Sequence, residues 1–373
     1  MQQVERMSGS LSFIDSYSSA AVGSRAVEQR NDIRWEPAVY EQKAALIGRS
    51  PAAVARSSDL LTAAVLAELE AYQADAVTVG VDVYNLEAEA FGAKPVAASW
   101  TACPDVTEPL WRISEIPREL EPPPVPAAGR FHVMLDAAQR ARDSVEARYC
   151  AYTFMPRRPT VRVAASGPTS IASRLIDPQE LLIGLLADDP AVDRLLEICT
   201  VVGEHWLSTI RAAGLDAVII DSLASPPLIG PRLYEEKVYP LHHRLMEFLD
   251  ATGQVERPLV MGGDTSDVIA LMAAAGANVL LADVPADVRS FVAELRSSCS
   301  AGRLADVRIR RNIDPAFCVV PIDDQVVNRY VRDFEAIIEA GLSVTIGTGI
   351  LDYHQDPSAV RMVAARVMEA LGR

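Results

Sequence analysis

GLDAVIIDSLASPPLIGPRLYEEKVYP, residues Gly214–Pro240, reads as a helix end, a strand, a loop and the start of another helix. Gly214 suits a helix C-terminus, because glycine adopts positive φ without a Cβ penalty. Ala217–Ile220 is a short unbroken apolar run, the mark of a strand covered on both faces. The run stops at Asp221-Ser222, polar groups placed where the strand leaves the core. Paired prolines follow, and Tyr234-Glu235-Glu236 is expected to open the next helix. In a parallel α/β fold, ligands gather at the ends of such strands.

The same rhythm recurs along the chain as AYQADAVTVGVD ending at Asp82, AAGANVLLAD ending at Asp283 and EAGLSVTIGTG ending at Gly349. Thr160–Ala165, Pro258–Met261 and Val307–Ile309 add further strands. Helices are expected over Val39–Gly48, Leu60–Tyr72, Arg130–Arg142 and Val238–Leu249, with Asp189, Asp323 or Asp324, and Asp356 as N-caps. Alternating helices and buried strands imply a parallel sheet. Their number favours a closed (β/α)8 TIM barrel over residues 34–373, with strands still to be found near 94–110 and 125–150. Lys94–Thr107 reads as an extended excursion or hairpin. Residues 1–33 lack periodicity and are expected to form an arm.

The chain has 373 residues, half of them hydrophobic, and a formal net charge of −15. This acidity argues against a nucleic-acid or anionic-membrane surface, each of which needs a basic face. It leaves room for a small anionic substrate, since a few local arginines decide that. No apolar run reaches membrane-spanning length and no signal-peptide layout opens the chain. Five scattered cysteines without CxxC spacing suit reduced thiols, so a cytoplasmic location is expected.

The expected strand ends bring Asp82, Asp221, Ser222, Asp264, Arg310, Arg311 and Asn312 towards one mouth, with Arg174, Tyr234 and His354 close by. An aspartate ending a strand also has a plainer use, accepting loop amides or capping the next helix. Arg310 and Arg311 suit a carboxylate or phosphate, but period-two alternation allows only one of them to face inward. Thr348, between two glycines, is placed to present backbone amides to an anion. His242 and His243 are adjacent in a helix and point apart, which favours structural roles. No HExxH, P-loop, GxGxxG or GxSxG motif occurs, so no cofactor is expected.

Gly167-Pro168-Thr169, the Asp216–Pro240 stretch, GGDTSDVI at 262–269 and RNIDP at 311–315 together resemble the uroporphyrinogen decarboxylase superfamily, in matching order from about residue 35 to the C-terminus. The resemblance implies a TIM barrel with its pocket at the C-terminal mouth. It implies either a cofactor-free tetrapyrrole decarboxylase or a zinc methyltransferase acting between corrinoids and thiols. The methyltransferases carry His-x-Cys-Gly where this chain has Val260-Met261-Gly262-Gly263, and Gly-Cys where it has Gly347-Thr348. The soft ligands zinc needs are thus missing, and no metal site is expected. The decarboxylases' arginine-rich N-terminal element is absent too. Their pyrrole-contacting aspartate maps onto Asp82 and their pocket serine onto Ser222, while their pocket tyrosine falls at Arg174 and a late histidine at Thr348.

These readings lead to a metal-independent lyase for a carboxylate-bearing molecule, a tetrapyrrole or something smaller. Asp82, Asp221 and Ser222 would be catalytic. Arg174, Arg310, Arg311, Asn312, Asp264, Thr348, His354 and Tyr234 would bind substrate. A corrinoid- or thiol-linked methyltransferase and a non-catalytic binding barrel are the alternatives, and a homodimer is a candidate assembly.

Overall fold

The computed structural model describes residues 32–151 and 158–372. Eight strands run parallel: β1 (Arg34–Val39), β2 (Ala76–Val79), β3 (Thr160–Ser166), β4 (Asp216–Ile220), β5 (Pro258–Val260), β6 (Val279–Ala282), β7 (Arg308–Ile313) and β8 (Ser343–Leu351). Their spatial order is β1-β8-β7-β6-β5-β4-β3-β2. The two ends of this sheet meet where Asp75 N donates to Trp35 O at 2.8 Å and Trp35 N donates to the Asp75 carboxylate at 2.7 Å. The result is a nearly closed TIM barrel with helices between its strands.

In β4, Ala217 and Ile219 face the outer helices, whereas Val218 and Ile220 join Ala164 inside the barrel. Burial on both faces explains the unbroken apolar run. Gly214, at φ +69°, closes the preceding helix Pro190–Ala212 as its sequence position requires. Asp189, Asp323 and Asp356 each accept a backbone N–H at a helix start, the expected cap.

Three expectations are corrected. Residues 94–110 contain only a short antiparallel hairpin, Val96–Ala97 against Pro104–Asp105, and residues 131–151 are one helix, so neither stretch holds a barrel strand. The unrecognised strand is β1, whose sequence RWEPAV hides it because Arg34 and Glu36 are charged. Tyr234 lies in the first turn of its helix but does not start it: the helical path breaks at Gly230, φ +75°, and resumes at Pro231, three residues before the expected start. Of the arm expected over 1–33, residues 1–31 lie outside the described residues, and Ile33 is fully buried.

The charges of β1 have partners in the barrel. Arg162 on β3 donates to Glu36 at 2.8 Å and to Glu256 at 2.6 Å, Arg34 reaches Glu256 at 2.6 Å, and Arg308 on β7 pairs with Asp32. This ionic layer fills the N-terminal end of the interior. Among the described residues, no helix is long and apolar enough to cross a membrane.

Candidate functional site

A cavity of about 320 Å³ opens among the strand ends at the C-terminal mouth. Its lining combines the apolar side chains of Val81, Val83, Ile220, Val260 and Leu281 with the polar ones of Arg310, Asn312, Asp283, Tyr84, Ser222 and Arg174.

Strand alternation separates the two arginines. Arg310 points inward, where its Nε donates to Asn312 Oδ1 at 3.1 Å and one Nη lies 3.4 Å from Thr348 O. Asn312 in turn donates to Asp283 at 2.9 Å, which holds the group in place. No carboxylate lies within ion-pair distance of Arg310 among the described residues. Arg311 points outward, donating to Asp333 at 2.9 and 3.1 Å and lying over the Tyr330 ring. Gly347 makes the inward arrangement possible: a Cβ there would lie 2.5 Å from Arg310 Nε and closer still to Asn312 Oδ1.

Tyr84 was not among the sequence candidates. It follows β2 with φ +79°, a costly conformation for an aromatic residue and one that concentrates at functional sites. Its backbone N–H donates to Ser166 Oγ at 3.1 Å, and Ser166 donates to the buried Glu87 at 2.8 Å. So held, the Tyr84 hydroxyl lies 2.5 Å from Ser222 Oγ at the cavity wall. Burial raises the Tyr84 pKa, keeping the phenol protonated. Nothing in the residues after Asp82 signals a positive φ, which arises from tertiary contacts.

Asp82 lines the cavity, but Arg130 holds both of its carboxylate oxygens, at 2.7 and 3.2 Å. Arg130 also donates to Glu89 at 2.5 Å and to Ala55 O at 2.8 Å. Burial pushes the Asp82 pKa up against the pull of this guanidinium.

Asp221 lies behind the wall, fully buried. It accepts from Thr169 Oγ1 at 2.5 Å, Ser170 N at 2.7 Å and Thr169 N at 3.3 Å, with His242 Nε2 at 2.9 Å. Burial alone would raise its pKa; the His242 contact and these hydrogen bonds outweigh that and lower it. A side chain on Gly167 would collide with Asp221, so this glycine is required by close approach. The Tyr234 hydroxyl lies 3.2 Å from His242 Nδ1 in the same buried cluster, away from the cavity. The cluster fixes the chain leading directly into Ser222.

Of the remaining candidates, Asp264, Thr348 and His354 do not line the cavity. Asp264 accepts from Ser266 N and Oγ in a local turn. Thr348 Oγ1 accepts from Ala38 N at 3.0 Å, joining β8 to β1. His354 is exposed beside Tyr353. Arg174 does line the cavity, with one nitrogen 3.3 Å from Asp105 on the hairpin. Cys103 and Glu41 lie on the same rim, with the thiol 3.7 Å from the carboxylate.

Val260 and Gly262 reach the cavity and offer no side-chain ligand, and Thr348 is committed to β1. Among the described residues, no three His, Cys, Asp or Glu side chains converge in a metal-holding group. This donor set does not fit a zinc ion.

The uroporphyrinogen decarboxylase (URO-D) family model matches residues 37–367. The methylcobamide:CoM methyltransferase MtbA of Methanosarcina mazei is 25% identical over 199 residues, 53% of this chain and 55% of that protein. The chain therefore spans about half the length of this curated relative. Among solved structures, a methyltransferase from Methanosarcina mazei is similar with a TM-score of 0.72 and 18% identity, covering 91% of this chain and 94% of that one. At that identity the likeness concerns the fold.

Proposed function

The chain belongs to the uroporphyrinogen decarboxylase (URO-D) family, and on that premise we propose that it is a metal-independent carboxy-lyase for a small carboxylate-bearing molecule. The observation carrying this reading is Arg310, a fixed guanidinium facing a partly apolar cavity with no carboxylate in ion-pair reach among the described residues. Such a group suits a planar carboxylate. The volume of about 320 Å³ is at the low end for ligand pockets and favours a metabolite smaller than a tetrapyrrole.

In the proposed reaction the C–C bond to a carboxylate breaks and CO2 leaves. The electron pair stays on the substrate carbon, which takes a proton from the Tyr84 hydroxyl; Tyr84 regains one from water through Ser222. Ile220, Val260 and Leu281 keep water from the carbon framework. Asp221 supports Ser222 from behind, and Asp82 fixes the wall through Arg130. The test is incubation with a panel of carboxylates, read by mass spectrometry for a product lighter by one CO2. Absence of such a product across the panel would overturn the lyase reading.

The similarity to MtbA favours a second reading, methyl transfer between a corrinoid and a thiol. The zinc this would ordinarily use does not fit the donor set. Methyl transfer from a methylcobamide to a thiol, together with stoichiometric zinc by elemental analysis, would establish this reading in place of the first.

A further inference from the structure

We propose that the substrate is a dicarboxylate, and that Arg174 is its second anion site, reached by displacing Asp105. This rests on the reading of Arg310 as a carboxylate anchor and adds what lies across the same cavity.

Arg174 ends the helix Pro168–Leu175 and lines the cavity. Its guanidinium carbon lies 5.9 Å from the centre of the Tyr84 ring, which steadies it beside the Tyr84–Ser222 pair. Its Nε is buried and has no hydrogen-bond partner among the described residues. A buried donor left open is costly and points to an acceptor that arrives with a ligand.

The partner Arg174 does have is a weak competitor. A single nitrogen meets a single Asp105 oxygen at 3.3 Å, and the Asp105 side chain is 49% exposed. Pairs of this kind stabilise little. When Asp105 turns away it gives up one further contact, Val106 N donating to the same oxygen at 2.9 Å, while the hairpin base is held separately by Asn85 Nδ2 donating to Pro104 O at 2.7 Å and by the Cys103 thiol against Val81 O at 3.0 Å.

Of the other carboxylates on the lining, one has a guanidinium of its own and the rest are held by neutral groups or set apart. Asp82 is neutralised by Arg130, and Asp283 is engaged by Asn312 and by Gly263 N at 3.0 Å. Glu41 lies on the Cys103 side. Once Asp105 turns to solvent, Arg310 and Arg174 are the two guanidiniums that the lining offers to the two ends of a dicarboxylate.

The test is calorimetric titration of the full chain with succinate, glutarate, adipate and, as the single-charge reference, butyrate, at constant ionic strength. At least one dicarboxylate is expected to bind about tenfold or more tightly than butyrate. Arg174→Gln should erase that preference. Asp105→Asn should strengthen dicarboxylate binding several-fold, a gain that does not follow from a merely structural ion pair. Dicarboxylates binding no better than butyrate, a preference that survives Arg174→Gln, or no gain in Asp105→Asn would each overturn the proposal. The lyase reading fails separately, when a bound dicarboxylate is not decarboxylated, because the binding preference does not depend on turnover.

Discussion

Arg130 grips Asp82 at two points, 2.7 and 3.2 Å, although the two residues lie 48 positions apart in the chain. An aspartate at a strand end with no visible partner invites a catalytic reading, under which Asp82→Asn would leave the fold intact. The ion pair leads to a different expectation. Asp82→Asn strands a buried guanidinium with Glu89 as its remaining carboxylate, and removing one partner of a buried pair costs about 3–5 kcal/mol. Denaturant unfolding of the variant should show a loss of this size. Unchanged stability with lost turnover would return Asp82 to the catalytic role.

Tyr84→Phe removes the hydroxyl 2.5 Å from Ser222 and leaves the ring in place over Arg174. Stability should fall by only about 1 kcal/mol, the usual net value of one hydrogen bond. Turnover should fall by about 100-fold or more, the contribution typical of a positioned proton donor, while carboxylate affinity is retained. Single-turnover measurement beside a binding titration separates these effects; equal turnover in the two proteins would exclude Tyr84 as the donor.

The residues that were hard to read share a cause. Strands such as Ala217–Ile220 are legible because burial on both faces leaves an apolar run. Strand β1 is not, because Arg34 and Glu36 spend their charge on Arg162 and Glu256 inside the barrel, far away in sequence. For His242 only the partner is hidden: the folded chain brings it 2.9 Å from Asp221, 21 positions away in the sequence. The inward aim of Arg310 follows from strand alternation, but its choice over Arg311 depends on register, which a sequence leaves open. Tyr84 depends on a positive φ, with its N–H donating to Ser166, a residue 82 positions away.

Gly347→Ala tests how Arg310 is aimed. The added Cβ would press on Arg310 Nε and Asn312 Oδ1 together, and both ends of that hydrogen bond must shift. Overpacking of this kind costs about 1–3 kcal/mol. The larger expected effect is on binding, about tenfold weaker carboxylate affinity, because the guanidinium no longer faces the cavity at its fixed angle. Titration with a carboxylate that binds the unmodified protein decides this, and unaltered affinity would mean that Arg310 does not anchor the ligand.

Glu68 gives the fold its own pH dependence. It is buried against Lys43 at 3.0 Å, and burial lifts its pKa from 4.5 to about 7 despite the pull of the ammonium. Between those values the folded chain holds a proton that the unfolded chain has released. The contribution to stability is therefore complete below pH 4.5 and is lost as pH rises through 7, amounting to about 3 kcal/mol. Asp221 works the other way and outside this window, since its lowered pKa makes its stabilisation disappear only as pH falls below the ordinary carboxylate range. Urea unfolding at intervals from pH 4.5 to 7.5 should show the unmodified protein losing stability relative to Glu68→Gln, which has no proton to release. Parallel curves for the two proteins across that range would show that Glu68 is ionised throughout and that Lys43 compensates fully for its burial.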